Sequence, residues 1–463
     1  MKSRSLNMIG SVVLAGLLLS GCATYPSDTG FSDVENILVQ RLSQRIHWQQ
    51  DTAEDQAAES AVSALLSGEL ELESAVQVAL LNNRRLQAIY EDLGIARAGL
   101  VQAGLLRNPV FGASIGFTEG GGSPDLRFSI VQDFLSIFYM PLRKRVAESE
   151  FEATKLRVSG AVVDLAASVG AAYYQLQAAQ QMLELRRQVA GASAASLDAA
   201  RRLREAGNIT GLDLDNEQAL YLFARLDVEA IKVVVSQRHE RLTRLMGLSG
   251  TEINWQIATR LPELPADREP LETLEIRAIE ASLDLAILRQ DIETMGRRLG
   301  IVEASALVPE LELGLEAERD DGEWDFGPKI AISLPLFDQG QARIAIAKAE
   351  INRLRREYLA LATEIESITR ATRKELVTAR RMVREYETVL LPLQARIVEQ
   401  TQLQYNAMQL GVFQLLASFE RQIDAGERYV ETLQNYWLAR NNLDRILNGR
   451  LPDERPMFER MEK

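Results

Sequence analysis

Cysteine occurs once in 463 residues, at Cys22, and histidine twice, at His47 and His239. One thiol leaves no disulfide, and two distant histidines form no zinc-type cluster. Positive charge is also short. Lys and Arg number 52 against 65 Asp and Glu, a net charge of −13, which argues against a nucleic-acid partner. No glycine-rich phosphate loop and no nucleophile elbow is present. The sequence therefore offers no carrier for catalysis, and neither enzymatic activity nor a metal or organic cofactor is expected. After residue 22 no apolar run approaches 18 residues, so no transmembrane helix is expected.

The N-terminus reads as a processing signal. Lys2 and Arg4 precede a largely apolar or small stretch over residues 8–20. At about 13 positions it is too short to span a bilayer and suits a signal-peptide core. Leu19, Ser20, Gly21 and Cys22 then resemble a bacterial lipobox. The resemblance implies a signal peptide over 1–21 and Cys22 as the lipidated (palmitate-type) N-terminus of a segment running to 69. By the same resemblance, Ala23 and Thr24 in place of an Asp after the Cys favour the outer membrane. Two or more acyl chains anchor firmly where one does not.

Long heptad seams dominate the rest. Val158, Val162, Leu165, Val169, Ala172, Leu176, Ala179 and Leu183 alternate spacings of four and three. Ile344, Ala347, Ile351, Leu354, Tyr358, Leu361, Ile365 and Ile368 repeat that rhythm, and it resumes from Leu376 to Ile397. Continuous helices are expected over about 142–206 and 340–409, with Pro392 kinking the second. Shorter helices are expected at about 70–107 and 212–247. End to end, they match one long helix in length.

Between the helices lie alternating segments. Residues 109–119 and 125–134 flank a Gly120–Pro124 turn; 309–318 and 325–337 form a second pair. In 309–318, Leu311, Leu313 and Leu315 share one face, and Glu310, Glu312, Glu316 and Glu318 the other. Each strand has about the length of a membrane-barrel strand. Four strands cannot close a barrel, and open edges are not tolerated in lipid. Either other copies share the strands, or their apolar faces pack on a soluble core.

The hairpins belong to an internal repeat. Pro109 pairs with Pro309, Pro141 with Pro335, Gly207 with Gly411, and Leu242 and Arg244 with Leu443 and Arg445. Each half, 70–250 and 272–450, reads helix, hairpin, long helix, helix. A linker over 251–271 joins them, and a tail follows from 451. This duplication, the two glycines and the lipobox together resemble the TolC-type outer-membrane efflux family, over about residues 70–450.

The resemblance implies a mainly α fold with a small β part. A homotrimer closes twelve strands into an outer-membrane β-barrel, continuous with a periplasmic α-helical barrel. It implies a passive exit duct in a tripartite system. An inner-membrane pump and a periplasmic adaptor are its partners, and outer-membrane lipid surrounds it. The adaptor-contacting tip would be Gly207, Asn208, Ile209, Thr210 and Gly211 with Gln409, Leu410, Gly411 and Val412. Asp213 and Glu420 align with acids that ring the aperture in relatives. Thr210 and Asp213 also read as a capping box, an ordinary helix-end role. Phe413 stands where some relatives carry a gating Arg, and Met408 where a Tyr is frequent. Glu310, Glu312, Glu316 and Glu318 would face the barrel lumen, partly offset by Arg127 and Lys329. Met246, Met295 and Met382 read as core rather than copper ligands. The alternative is a lipid-anchored periplasmic coiled-coil scaffold without a channel.

Overall fold

The computed structural model describes residues 29–117, 124–265, 273–307, 310–320 and 323–452. Cys22 lies outside them, as does the Phe413 side chain. Two short helices come first, α1 (Phe31–Val39) and α2 (Ala53–Leu65). The first repeat follows: α3 (Leu72–Asn82), α4 (Arg84–Ala103), β1 (Val110–Gly116), β2 (Asp125–Asp133), α5 (Leu135–Glu205) and α6 (Gly211–Met246). The second holds α7 (Leu274–Ala281), α8 (Leu283–Leu307), β3 (Leu311–Asp320), β4 (Glu323–Ile332), α9 (Gln341–Glu385), α10 (Leu391–Asn406) and α11 (Val412–Leu447).

α5 carries the first heptad seam. Val158, Val162, Val169, Ala172, Leu176, Ala179 and Leu183 are buried, and Leu165 is half-buried. At 71 residues it is ~106 Å long. It starts seven residues before the expected 142, with Pro141 inside it. Asp133 explains the early start: its Oδ1 accepts the Ser136 N–H at 3.1 Å, so the first turn is capped upstream of the proline. By length and composition one window of α5 could cross a bilayer, contrary to expectation, but 56% of that window is buried within the molecule. The second long helix is interrupted as Pro392 requires. The break precedes the proline, as a π turn over Tyr386–Leu390, a wider turn of the kind that absorbs a kink.

The expected helix over 70–107 is two helices. Asn83 turns the chain out of helical geometry between α3 and α4, and its Oδ1 accepts the Leu86 N–H at 2.9 Å as an N-cap. Ser282 does the same between α7 and α8, capping Leu285 at 3.1 Å. Each break rests on the end of its own repeat's last helix. Asn83 Nδ2 donates to the Leu245 carbonyl at 2.8 Å, and the Leu283 N–H donates to the Gly449 carbonyl at 2.9 Å. Gly247 (φ +73°) and Gly449 (φ +98°) permit this approach. A Cβ on either would lie 2.5 Å from the Asn82 oxygen or 2.3 Å from the Ala281 oxygen.

The long and short helices form one layer. α4 and α6 lie end to end along one side of α5, and α8 and α11 fill the space between α5 and the α9–α10 rod. Midway along, α1, α3 and the residues after α6 pack on this layer. Val34, Leu38, Trp48, Tyr90, Val162, Leu176, Leu242 and Tyr436 join one core. Lys155 of α5 pins α1 there, 2.7 Å from Asp33 and 2.7 Å from Glu152. Burial pulls its pKa down, but these two bonds outweigh burial and hold it above the ordinary lysine value. Asp164 ties the far end of α11 to α5: it accepts from Arg445 at 2.8 Å and from Arg450 at 2.6 Å.

Candidate functional site

All four strands join one antiparallel sheet in the order β1-β2-β3-β4. The register therefore decides what each face carries, since directly opposed residues share a face. Phe111 opposes Ile130, and Ile130 opposes Leu315; Phe128 opposes Ala317, which opposes Phe326. Leu311 and Leu313 oppose Ile332 and Ile330. One face is thus apolar across all four strands, with Arg319 its one charge within the paired strands. Phe111, Phe128, Trp324 and Phe326 stack along it at ring separations of 6.0–6.2 Å. Phe134, Phe138 and Phe337 stand exposed at its helix-side margin.

The other face is acidic. Arg127 opposes Glu318, Ser129 opposes Glu316, and Asp133 opposes Glu312. Lys329 opposes Gly314, and Asp325 opposes Glu318, on this face too. Arg127 forms ion pairs with Glu318 and, at 3.3 Å, with Glu316. The expected separation of leucines from glutamates therefore holds, with Arg127 and Lys329 among the carboxylates. Glu310 departs from expectation: β3 begins at Leu311, so Glu310 precedes the strand, where its carbonyl accepts the Ser333 N–H at 3.2 Å.

No described element covers the apolar face of the sheet, where Phe111, Ile115, Leu315, Phe326 and Ile330 are exposed. The outer edges of β1 and β4 pair with no described strand. Sheet and helix layer are thus both open along two edges.

At the far end two turns join α5 to α6 and α10 to α11. In the first, Gly207 is left-handed (φ +76°) and closes the helix: its N–H donates to the Arg204 carbonyl at 3.0 Å, and the Asn208 N–H to Leu203 at 2.8 Å. In the second the same bonds run from Met408 to Tyr405 at 2.9 Å and from Gln409 to Gln404 at 2.9 Å. The left-handed residue is Met408 (φ +59°), whereas Gly411 has φ −82° and caps α11. The expected pairing of Gly207 with Gly411 is therefore corrected to Gly207 with Met408, an offset of 201 residues. Thr210 and Gly411 then correspond as N-caps.

Asp213 makes the expected capping box. Its Oδ2 accepts from the Thr210 hydroxyl at 2.7 Å and the Thr210 N–H at 2.9 Å, while Thr210 Oγ1 accepts the Asp213 N–H at 3.2 Å. The Thr210 side-chain bond, then the backbone bond, hold its pKa below the ordinary aspartate value. Glu420 is exposed on α11, and no bond joins it to Asp213 among the described residues. Sequence reasoning missed a clamp above the tip. Arg186 of α5 binds Asp227 of α6 at 3.0 Å and Glu427 of α11 at 2.8 Å. Its only sequence signal is an Arg flanking the seam. No group of three or more His, Cys, Asp or Glu able to hold a metal occurs among the described residues.

Residues 75–248, nearly all of the first repeat, match the family model for outer membrane efflux proteins. The chain is a homologue of the outer membrane efflux proteins. The cobalt-zinc-cadmium resistance protein CzcC of Cupriavidus metallidurans is 24% identical over 386 residues, 82% of this chain and 90% of that one. A membrane protein from Pseudomonas aeruginosa superposes with a TM-score of 0.70 at 18% identity, covering 83% of this chain and 91% of that one. CusC superposes at 0.67 with 14% identity over 93% of this chain and 100% of its own. The efflux-protein homologue thus has the fold that its duplicated order implied.

Proposed function

We propose that this protein is the outer-membrane exit duct of a tripartite efflux system, passing cations delivered by an inner-membrane pump and a periplasmic adaptor. The observation that carries the reading is the four-stranded sheet: apolar on one face, acidic on the other, and open at both edges. Lipid is the solvent that stabilises such an apolar face, and it tolerates no open edge. Three copies supply twelve strands and close the sheet. The same threefold closure joins the α4–α6 edge of each helix layer to the α9–α10 edge of the next, which makes the helical barrel.

The cation reading rests on two supports. CzcC is named for resistance to cobalt, zinc and cadmium. The acidic face carries Glu312, Glu316, Glu318 and Asp325 against Arg127 and Lys329, and a tube lined this way concentrates cations by its field rather than by ligation. Asp213 and Glu420 would stand at the tip aperture beside Phe413, and the two turns would meet the adaptor.

The lipid anchor has a geometric support. Gly30 packs on Phe151, sixteen residues along α5 from its start, ~24 Å from the strands. Thr29 follows Cys22 by seven residues, a reach of up to ~25 Å. A lipid on Cys22 can therefore enter the membrane that holds the strands.

Planar bilayers test the duct. The purified lipidated protein should give stepwise, cation-selective currents at low salt. A particle that inserts without conducting, or that passes anions preferentially, would return the chain to the scaffold reading.

A further inference from the structure

Residues 46–83 hold seven carboxylates and neither lysine nor arginine: Asp51, Glu54, Asp55, Glu59, Glu69, Glu71 and Glu73. α2 lies inside this block and buries one side chain, Val62. Asp55 is taken up by its own cap, accepting from Thr52, and by His47 at 2.6 Å. Asp51, Glu54 and Glu59 are exposed and pair with no cation among the described residues.

The chain is anchored on both sides of α2. Before it, Trp48 Nε1 donates to Glu91 of α4 at 3.1 Å, and the Gln49 N–H to Gln87 of α4 at 2.9 Å. After it, the Leu70 N–H donates to the Gln256 carbonyl at 2.8 Å, next to Trp255, which stacks on His239 of α6 at 4.0 Å. The segments flanking α2 are thus tied to α4 and to the residues after α6, on the edge of the layer opposite α9.

The opposite edge carries the complementary charge at the same height. Arg373, Arg380, Arg381 and Arg384 fall at i, i+7, i+8 and i+11 of α9, one helix face. With Arg440 of α11 they line a cavity of about 940 Å³, against three carboxylates, Glu73, Glu385 and Asp444. Arg373, Arg381 and Arg384 are exposed and pair with no carboxylate among the described residues. Leu72 and Glu73, at the start of α3, also line this cavity. Since α2 packs on α3, the cavity and α2 lie on the same face of the layer.

We infer that the acidic helix α2 of one copy seats against the arginine face of α9 in the next, so that the site is completed only in the assembly. This rests on the duct reading, because closure by identical copies is what joins the α4–α6 edge to the α9 edge. Arginine forks suit exposed carboxylates, and an acidic helix that buries one side chain in its own protomer is free to bury more against a neighbour. The contact sets how neighbouring copies sit against each other at mid-height, far from both sheet and tip.

The test uses the full lipidated chain. Glu59→Cys and Arg381→Cys are placed in one protein and treated with a short bis-maleimide. Covalent dimers and trimers should appear on a denaturing gel, and neither single variant should give them. Sedimentation of the untreated protein reads the oligomer separately. A trimer that yields only uncross-linked or internally linked monomer overturns this inference and leaves the duct standing; a monomeric particle overturns the duct reading itself. As a second measure, Arg381→Glu with Arg384→Glu should shorten the lifetime of the trimer in detergent at least about fivefold at low salt. Adding Glu54→Arg and Glu59→Arg to the same chain should restore it. A lifetime unchanged by the first pair, or not restored by the second, overturns the contact.

Discussion

Met408 stands where its structural counterpart is Gly207, and the mismatch can be measured. A side chain in the left-handed region crowds the following carbonyl and costs about 1–2 kcal/mol. Met408→Gly removes that cost, while the extra freedom of glycine in the opened chain gives back about 0.5–1 kcal/mol. The side chain is 94% exposed, so little packing is lost with it. The net gain is about 0.5–1 kcal/mol, or two- to fivefold in the local opening equilibrium. Hydrogen exchange at the Gln409 amide, which donates to Gln404 at 2.9 Å, reads that opening directly. Protection should rise two- to fivefold in Met408→Gly. The mirror variant Gly207→Ala has open space around the added Cβ, so its effect is confined to the backbone, and protection of the Asn208 amide should fall. If Gln409 exchange is unchanged or faster in Met408→Gly, the left-handed geometry assigned to this turn is wrong.

Cys22→Ser should abolish labelling by palmitate and acyl-dependent processing yet leave the assembly intact; persistent labelling refutes the lipobox. Asp164→Asn leaves Arg445 facing a neutral amide in a largely buried site, while Arg450 keeps its ion pair with Asp284. It should cost about 1–3 kcal/mol, read as a lower thermal midpoint, and an unchanged midpoint would dismiss the network as ornamental. Asp213 has a depressed folded pKa, so its cap is fully present above the unfolded value of about 4 and is lost as pH falls through the folded one. Tip amide exchange should quicken over that acid window, and Asp213→Asn should flatten the dependence. Glu312→Gln with Glu316→Gln should lower cation-over-anion permeability at low salt, with the effect fading as screening shortens. A thiol probe at 312 that reacts from the lipid side would reverse the sheet's faces.

Periodicity made the long helices and the strand faces legible. A heptad seam or a period-2 alternation is written wholly in local sequence, and the buried and opposed residues follow it. The breaks at Asn83 and Ser282 were not legible in the same way. No proline or glycine marks them; a capping side chain and the underside of a distant helix end do, and the second of these is tertiary. The pairing of Gly207 with Gly411 failed for a related reason. Glycine is the usual residue for left-handed geometry at a helix end, but at the second turn that geometry falls on a methionine, which can hold it at a modest cost. A consistent offset was the better guide. Leu242 and Leu443 lie 201 residues apart, as do Gly207 and Met408.

The protomer's own packing argues for its completion by copies. α10 has sixteen residues and none is buried, though an isolated helix of that length is marginal in water. Its edge continues that of α9, where Leu359, Val377, Val389 and Leu403 lie exposed over the α9–α10 rod. On the far edge α6 exposes Leu212, Phe223, Leu226 and Val233. Apolar surface on one edge is commonplace. Apolar surface on both edges of a helix layer, with a sheet open at both of its own, calls for a head-to-tail contact that repeats until it closes. The strands add a stricter condition, because a barrel closes only at a fixed strand number, tilt and stagger. One rotation therefore has to satisfy both parts at once. The uninterrupted α5, running from the base of the sheet to the tip, carries that rotation from one part to the other.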